Sequence, residues 1–362
     1  MRILIFSVLP RPLLDRLGEH LALAGHDVIN LAGKRSRGRP APGVRRIIMN
    51  FDEGGRPSDP QEAWRQALKN GAFGLKALKN LASSWQPDII LCRSGQGAAF
   101  FVRQAFPEAF LVSFASEPHE AGIAVELDAR LFLASSLRFA PDARTIAKFP
   151  QLLQTAIQLE PVCIDADFFL REKDGAFSCW KLDAGLGNAI GIVLTGLAAD
   201  GLRAWQRTIL ALLARNKKTA LVALTDKGGS AGLIRELEAL ASGASKRIFA
   251  TDYLEKDAWR NLCASAPIIF TAQSQKKHAL ECLASGGSAW AGSDADLADL
   301  PGIRLFAPQK SLPAQLAAIK LAEPDPEIIA AIRRQYACAA VIPDFAARLL
   351  AEYELARANT QA

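Results

Sequence analysis

Short runs of Ile, Val and Leu with almost no polar residue among them recur along the chain, and they constrain the fold more than any other feature. A strand with one face in solvent alternates apolar and polar residues. A strand that is hydrophobic nearly throughout must be buried on both faces, which is the condition of a parallel sheet covered by helices. Arg2–Val8, Asp27–Leu31, Val44–Met49, Asp88–Cys92, Phe110–Phe114 and Arg130–Ala134 form one such series. Helical periodicity fills most of the gaps, over Pro12–Ala24, Pro60–Ser83, Gln96–Phe106 and Pro141–Phe149. Three of these four open on a proline, which is tolerated in a first helical turn because its missing donor has no partner there. Strand alternating with helix predicts a parallel sheet with right-handed crossovers.

After a short strand at Ala156–Leu159 the pattern lapses over Glu160–Gly187, which collects Asp, Gly and Lys. It restarts with strands Ala189–Thr195, Thr219–Leu224, Arg247–Ala250, Pro267–Thr271 and Ser288–Ala291. Between them lie helices Leu202–Ala214, Ser230–Ala241, Lys256–Ser265 and Lys276–Ser285. Pro313–Ala322 and Asp325–Ala358 read as helical, with Pro343 breaking the latter in two. The chain therefore reads as two doubly wound α/β domains: residues 1–164, a connection over 165–187, residues 188–340, and a terminal helix over 341–362.

At 362 residues and 50% hydrophobic, the chain is long enough for two cores. No run approaches the roughly 18 apolar residues of a membrane span, and Met1–Val8 reads as a core strand rather than a secretory signal. Six scattered cysteines without a CxxC pair suit reduced, buried thiols, so a cytoplasmic location is expected. A net charge of +6 suits phosphate-bearing small molecules or an anionic membrane surface. With 7% aromatics and no basic helix carrying stacking rings, nucleic acid is discounted.

Several local motifs, in order along the chain, resemble those of family 4 glycosyltransferases. Pro87-Asp88-Ile89-Ile90 is similar to the family's "PDVI" strand, and Ser94-Gly95-Gln96-Gly97 with Phe106-Pro107-Glu108-Ala109 to the turn and helix that follow it. Val162 to Phe168, containing Ile164-Asp165, resembles the "GIDT" connection, and Ala279-Leu280-Glu281-Cys282-Leu283-Ala284-Ser285-Gly286-Gly287 the "LLEAMACG" helix. The resemblance implies the GT-B plan: two Rossmann-like domains facing a cleft, acceptor side first and donor side second, with the C-terminal helices crossing back. It also implies transfer of a sugar from a nucleoside-diphosphate-sugar to a glycan, lipid-linked or protein acceptor, with no resident cofactor and no metal.

By the same resemblance Glu281 would hold the donor ribose, whose two hydroxyls a carboxylate can accept from, while Lys276 and Lys277 would meet the diphosphate at a helix start. His119, with Glu117, follows a strand end where the family places a histidine or acidic residue near the reacting sugar. Three places depart from the pattern, one being the first loop, Ser7 to Pro12, which lacks the glycines that usually let backbone amides approach donor phosphate. Gln273 stands where the family has an earlier glutamate, leaving an amide for the donor. The segment Gly196–Gly201 lacks the family's cations, so Arg203 becomes the nearest substitute.

Each signal has a plainer reading. Glu281 could form a structural ion pair, Lys276 and Lys277 a polar helix start, and His119 a structural contact. Gly228-Gly229-Ser230 could cradle a phosphate or simply turn the chain into a helix capped by Ser230. Asp165 to Asp167 and Asp294 to Asp296 invite a metal reading that the metal-independent family argues against. The basic run Lys34, Arg35, Arg37, Arg39, Arg45 and Arg46 reads as a solvated loop or as an anionic-lipid contact. The departures keep two alternatives open: a non-catalytic subunit on the same scaffold, and a nucleotide-sugar epimerase.

Overall fold

A computed structural model describes residues 1–7, 12–33, 40–50, 60–93, 97, 99–115, 129–169, 188–195, 199–215, 219–225, 229–240, 247–252, 254–271, 275–292, 297–306, 315 and 325–361. The chain divides into two compact units, Met1–Val162 with Val341–Ala362, and Cys163–Ala340.

The first unit runs β1 (Arg2–Ser7), α1 (Pro12–Leu23), β2 (Asp27–Gly33), β3 (Val44–Met49), α2 (Pro60–Ala82), β4 (Ile89–Arg93), α3 (Val102–Ala105), β5 (Phe110–Phe114), α4 (residues 129–133), β6 (Leu137–Ala140), α5 (Ala143–Ala147), α6 (Gln151–Gln154) and β7 (Gln158–Leu159). Its strands form one sheet in the order β3-β2-β1-β4-β5-β6-β7, every pairing parallel. Central strands are buried on both faces. From Ile3 to Phe6 no residue exceeds 1% exposure, and Leu4, Phe6, Ile29, Leu31, Ile90 and Leu111 pack in one cluster under α2 and α3. Each such side chain contributes about 1.5–3 kcal/mol of burial, which is what fixes the register of the apolar runs.

Two elements here differ from the sequence expectation. Arg130–Ala134 is not a strand: Ala134 N donates to Arg130 O at 3.3 Å and Ser135 Oγ to Leu131 O at 2.7 Å, so the run turns helically, and the strand is Leu137–Ala140. A short apolar run has no period by which to tell the two states apart. Tertiary contacts decide, with Arg103 Nε donating to Ala134 O at 2.9 Å at the end of that turn. The helix expected over Gln96–Phe106 is confined, among the described residues, to one turn at α3. The helix expected from Pro141 starts at Ala143, where Asp142 Oδ1 caps Thr145 N at 2.7 Å.

The second unit runs β8 (Asn188–Val193), α7 (Ala199–Arg215), β9 (Thr219–Leu224), α8 (Gly229–Leu240), β10 (Ile248–Thr251), α9 (Lys256–Ser265), β11 (Ile268–Phe270), α10 (Lys276–Ala284), β12 (Ala289–Ala291), β13 (Arg304–Leu305) and α11 (Pro326–Tyr336). Its sheet, also wholly parallel, has the order β10-β9-β8-β11-β12-β13 around a core that includes Ile190, Ile192, Leu221 and Ile269. The edge strand β13 is two exposed residues long and carries no apolar signature. Of the expected connection, residues 165–169 belong to this unit. The helix expected over Pro313–Ala322 lies outside the described residues, Gln315 excepted.

The last helix, α12 (Cys338–Gln361), contains Pro343 rather than breaking there. The chain breaks at Ala337, where the backbone turns extended (φ −61°, ψ 140°) and bridges Ile164. An internal proline costs about 3 kcal/mol. Packing offsets it: Phe345 lies 5.3 Å from Phe139 and 6.3 Å from Phe114, and Tyr353 lies 5.8 Å from Phe110, ring to ring. No described helix is long and apolar enough to cross a membrane.

Candidate functional site

In a parallel open sheet, ligands gather at the carboxyl ends of the two strands between which the chain order reverses, because the connecting loops diverge there. The second unit reverses between β8 and β11, and its side chains tie that point together. Gln275, 1% exposed, is the N-cap residue of α10 but makes no side-chain cap bond. Its Nε2 donates instead to the O of Val193, the last residue of β8, at 3.2 Å and to Thr195 O, just past it, at 2.8 Å, and its Oε1 accepts from Thr271 N at 2.9 Å, past the end of β11. Thr271 Oγ1 adds a bond to Val193 O at 2.6 Å. The first turn of α10 thus starts beside both strand ends with no cap bond from Gln275, a setting in which backbone amides and the positive end of the helix favour an anion.

Lys276 and Lys277 occupy that turn. Lys276 Nζ lies 5.8 Å from the ring centre of Tyr336, on α11, which packs against α10. One turn earlier on α11, Arg333 has its Nε and Nη2 buried with no hydrogen-bond partner among the described residues. Lys277 Nζ stands 3.9 Å from Glu281 Oε1.

Glu281 is 7% exposed, and its Oε2 accepts a 2.9 Å hydrogen bond from Trp259 Nε1, on α9. Burial of a carboxylate requires such a donor and a nearby cation, and Trp259 with Lys277 supplies both. Trp259 in turn packs edge-on to His278, 5.6 Å between ring centres. Of the residues singled out from sequence, Lys276, Lys277 and Glu281 therefore share one helix at the strand reversal. Arg203 lies on α7, and Gln273 lies outside the described residues.

In the first unit the reversal falls between β1 and β4, whose carboxyl ends are Ser7 and Arg93. Glu117 and His119 come just after β5, the neighbour of β4, and both lie outside the described residues, as do Lys34 to Arg39, Gly228 and Asp294 to Asp296. Arg45 pairs with Asp27 at 2.7 Å. Asp165 pairs with Lys256 at 3.1 Å, and no group of three or more potential metal ligands occurs among the described residues.

Two residues that matter here carry no sequence signal. Gln275 reads as an ordinary polar residue before a helix, and Trp259 lies twenty-two residues from its partner on a different helix. Only the reversal of strand order brings their surroundings together.

The fold and part of the sequence match known proteins. Residues 24–120 match the model of the glycosyl transferase family 4 group. The N-terminal domain of Candida albicans trehalose-6-phosphate phosphatase superposes with a TM-score of 0.67 at 12% identity, covering 97% of each chain. HepE from Anabaena, solved with UDP and glucose, gives 0.66 at 14% identity over 97% of this chain and 100% of its own. Sucrose-phosphate synthase from Thermosynechococcus elongatus gives 0.64 at 15% identity over 98% of this chain and 99% of its own. Comparison with curated protein sequences returned no significant match. The chain has the GT-B fold and resembles family 4 glycosyltransferases.

Proposed function

We propose that the protein is a glycosyltransferase that takes its sugar from a nucleoside-diphosphate-sugar bound to the second unit. The observation that carries this reading is the start of α10, whose N-cap residue Gln275 makes no side-chain cap bond, which bears Lys276 and Lys277 and sits at the strand reversal. A donor diphosphate would meet the first-turn amides and the two lysines. Negative charge growing on that diphosphate as the sugar leaves would be offset by groups already in place, which lowers the barrier without reorganisation. Glu281 Oε2 is taken by Trp259, which leaves Oε1 to accept from a ribose hydroxyl, with Lys277 beside it. Gln273 and Arg203 would complete the donor contacts, and Glu117 and His119 would serve the reacting sugar. The acceptor would be a glycan, a lipid-linked molecule or a protein, reached by a protein acting in the cytoplasm or against an anionic membrane surface, without a metal.

A second reading is a non-catalytic subunit on the same scaffold. The bond between Trp259 and Glu281 favours it, because that carboxylate already has a donor.

Thermal unfolding against a panel of nucleoside diphosphates and their sugars separates the two, with UDP first because HepE was solved with it. A ligand at a hundred times its Kd adds about 2.7 kcal/mol, a rise of roughly 5 to 10 °C for a domain of this size. A rise with one nucleotide that Glu281→Ala removes supports the transferase. No rise with any nucleotide supports the non-catalytic scaffold.

A further inference from the structure

The chain enters the second unit at Cys163 and leaves it after Ala340, and its entry and exit segments are joined by backbone hydrogen bonds. Ile164 N donates to Tyr336 O at 2.8 Å and Cys338 N to Ile164 O at 2.9 Å, a parallel bridge between Ile164 and Ala337. This bridge sets Cys163 and Cys338 side by side, with their Sγ atoms 3.2 Å apart as thiols. A disulfide bond is about 2.05 Å long, so the two sulfurs have to approach by about a further ångström to bond.

Accessibility separates this pair from the other described cysteines. Cys92, Cys263 and Cys282 have no solvent exposure. Cys263 and Cys282 also touch, but burial first, and then the neighbouring Cys282 thiol, push the Cys263 thiol well above the usual range, which keeps it protonated and unreactive. Cys338 is partly exposed and is the first residue of a 24-residue helix, whose positive end favours a thiolate. Cys163, 6% exposed, stands directly behind it.

We propose that Cys163 and Cys338 are a thiol oxidation site: a small disulfide such as oxidised glutathione converts them into a reversible disulfide that fastens the entry and exit of the second unit to each other. The Cys338 thiolate attacks one sulfur of the small disulfide and expels one glutathione thiolate. The Cys163 thiolate then attacks the Cys338 sulfur of the mixed disulfide and expels the second. Two glutathione molecules leave as thiols carrying the two protons lost by the protein, and the small disulfide is reduced by two electrons as the cysteines are oxidised. The bond closes the whole second unit into a covalent ring, which restricts its unfolded state.

The full-length protein is incubated with oxidised glutathione and followed by intact mass, peptide mapping and thermal unfolding. The expected result is a loss of two hydrogens, a peptide pair linking Cys163 to Cys338, and an unfolding midpoint higher by roughly 5 °C or more that dithiothreitol reverses. Cys163→Ser should unfold like the wild type under reducing conditions and gain nothing on oxidation, retaining a glutathione adduct on Cys338. Peptide maps in which the wild type keeps both thiols, stops at a stable glutathione adduct, or pairs either cysteine with Cys179 overturn the proposal.

Discussion

Trp259 Nε1 and Glu281 Oε2 are 2.9 Å apart, with both side chains buried between α9 and α10. The bond decides what a carboxylate can do at this position. Without it, Glu281 would bury a charge with only Lys277, at 3.9 Å, to answer it. With it, one oxygen is committed and the carboxylate plane is fixed by a rigid indole. The lysines one turn earlier, the helix start at Gln275 and this anchored carboxylate then form a single arrangement along α10.

Trp259→Phe should expose the difference between anchoring and binding. Phenylalanine keeps most of the packing but removes the donor, leaving a buried carboxylate oxygen unsatisfied, so the midpoint in urea should fall by an amount equal to about 1–3 kcal/mol. Glu281→Gln retains an oxygen that can accept from the indole and should cost less. If Glu281 also meets a ribose, Trp259→Phe weakens nucleotide binding beyond its effect on stability, measured by titration well below the unfolding transition.

The fold was legible because its signal repeats: every central strand is an apolar run, and burial on both faces is the physical reason for that composition. The failures fall where the signal is short or tertiary. Leu131, Phe132 and Leu133 look like a strand and form a helical turn, because Arg103 collects the carbonyl of Ala134. Pro343 looks like a break and lies inside a helix, because Phe345 and Tyr353 pack on aromatic partners. Within the site, Lys276, Lys277 and Glu281 could be read from one helical segment. Gln275 and Trp259 could not, since their partners lie on other elements.

Gly97 shows a motif glycine chosen for close approach. Its φ is +73°, and a Cβ there would lie 2.1 Å from Ala67 O on α2. Gly97→Ala should therefore combine backbone strain with displacement of a helix, on the order of 3 kcal/mol or more. At Gly25, with φ +88°, an added Cβ would meet nothing within 4 Å, so Gly25→Ala should cost only the strain, about 1–2 kcal/mol. Urea unfolding of both variants checks the ordering, and equal losses would mean that α2 yields freely.

Asp27, at the start of β2, accepts from Trp85 Nε1 after α2 and from Arg45 Nη2 on β3, each at 2.7 Å. The indole bond first, and the guanidinium second, hold its carboxyl below the usual aspartate range against a partial loss of hydration. A folded-state pKa below the unfolded value means stability that is present above about pH 4 and is lost as pH falls through the folded value. Because Asp27 is largely exposed, the contribution is under about 1 kcal/mol. Asp27→Asn should therefore lower stability slightly at pH 7 and flatten the decline between about pH 4 and pH 2, since the asparagine has no proton to take up. Unfolding midpoints measured across that range should converge for the two proteins at the acid end; curves that stay parallel would assign the acid loss to other carboxylates.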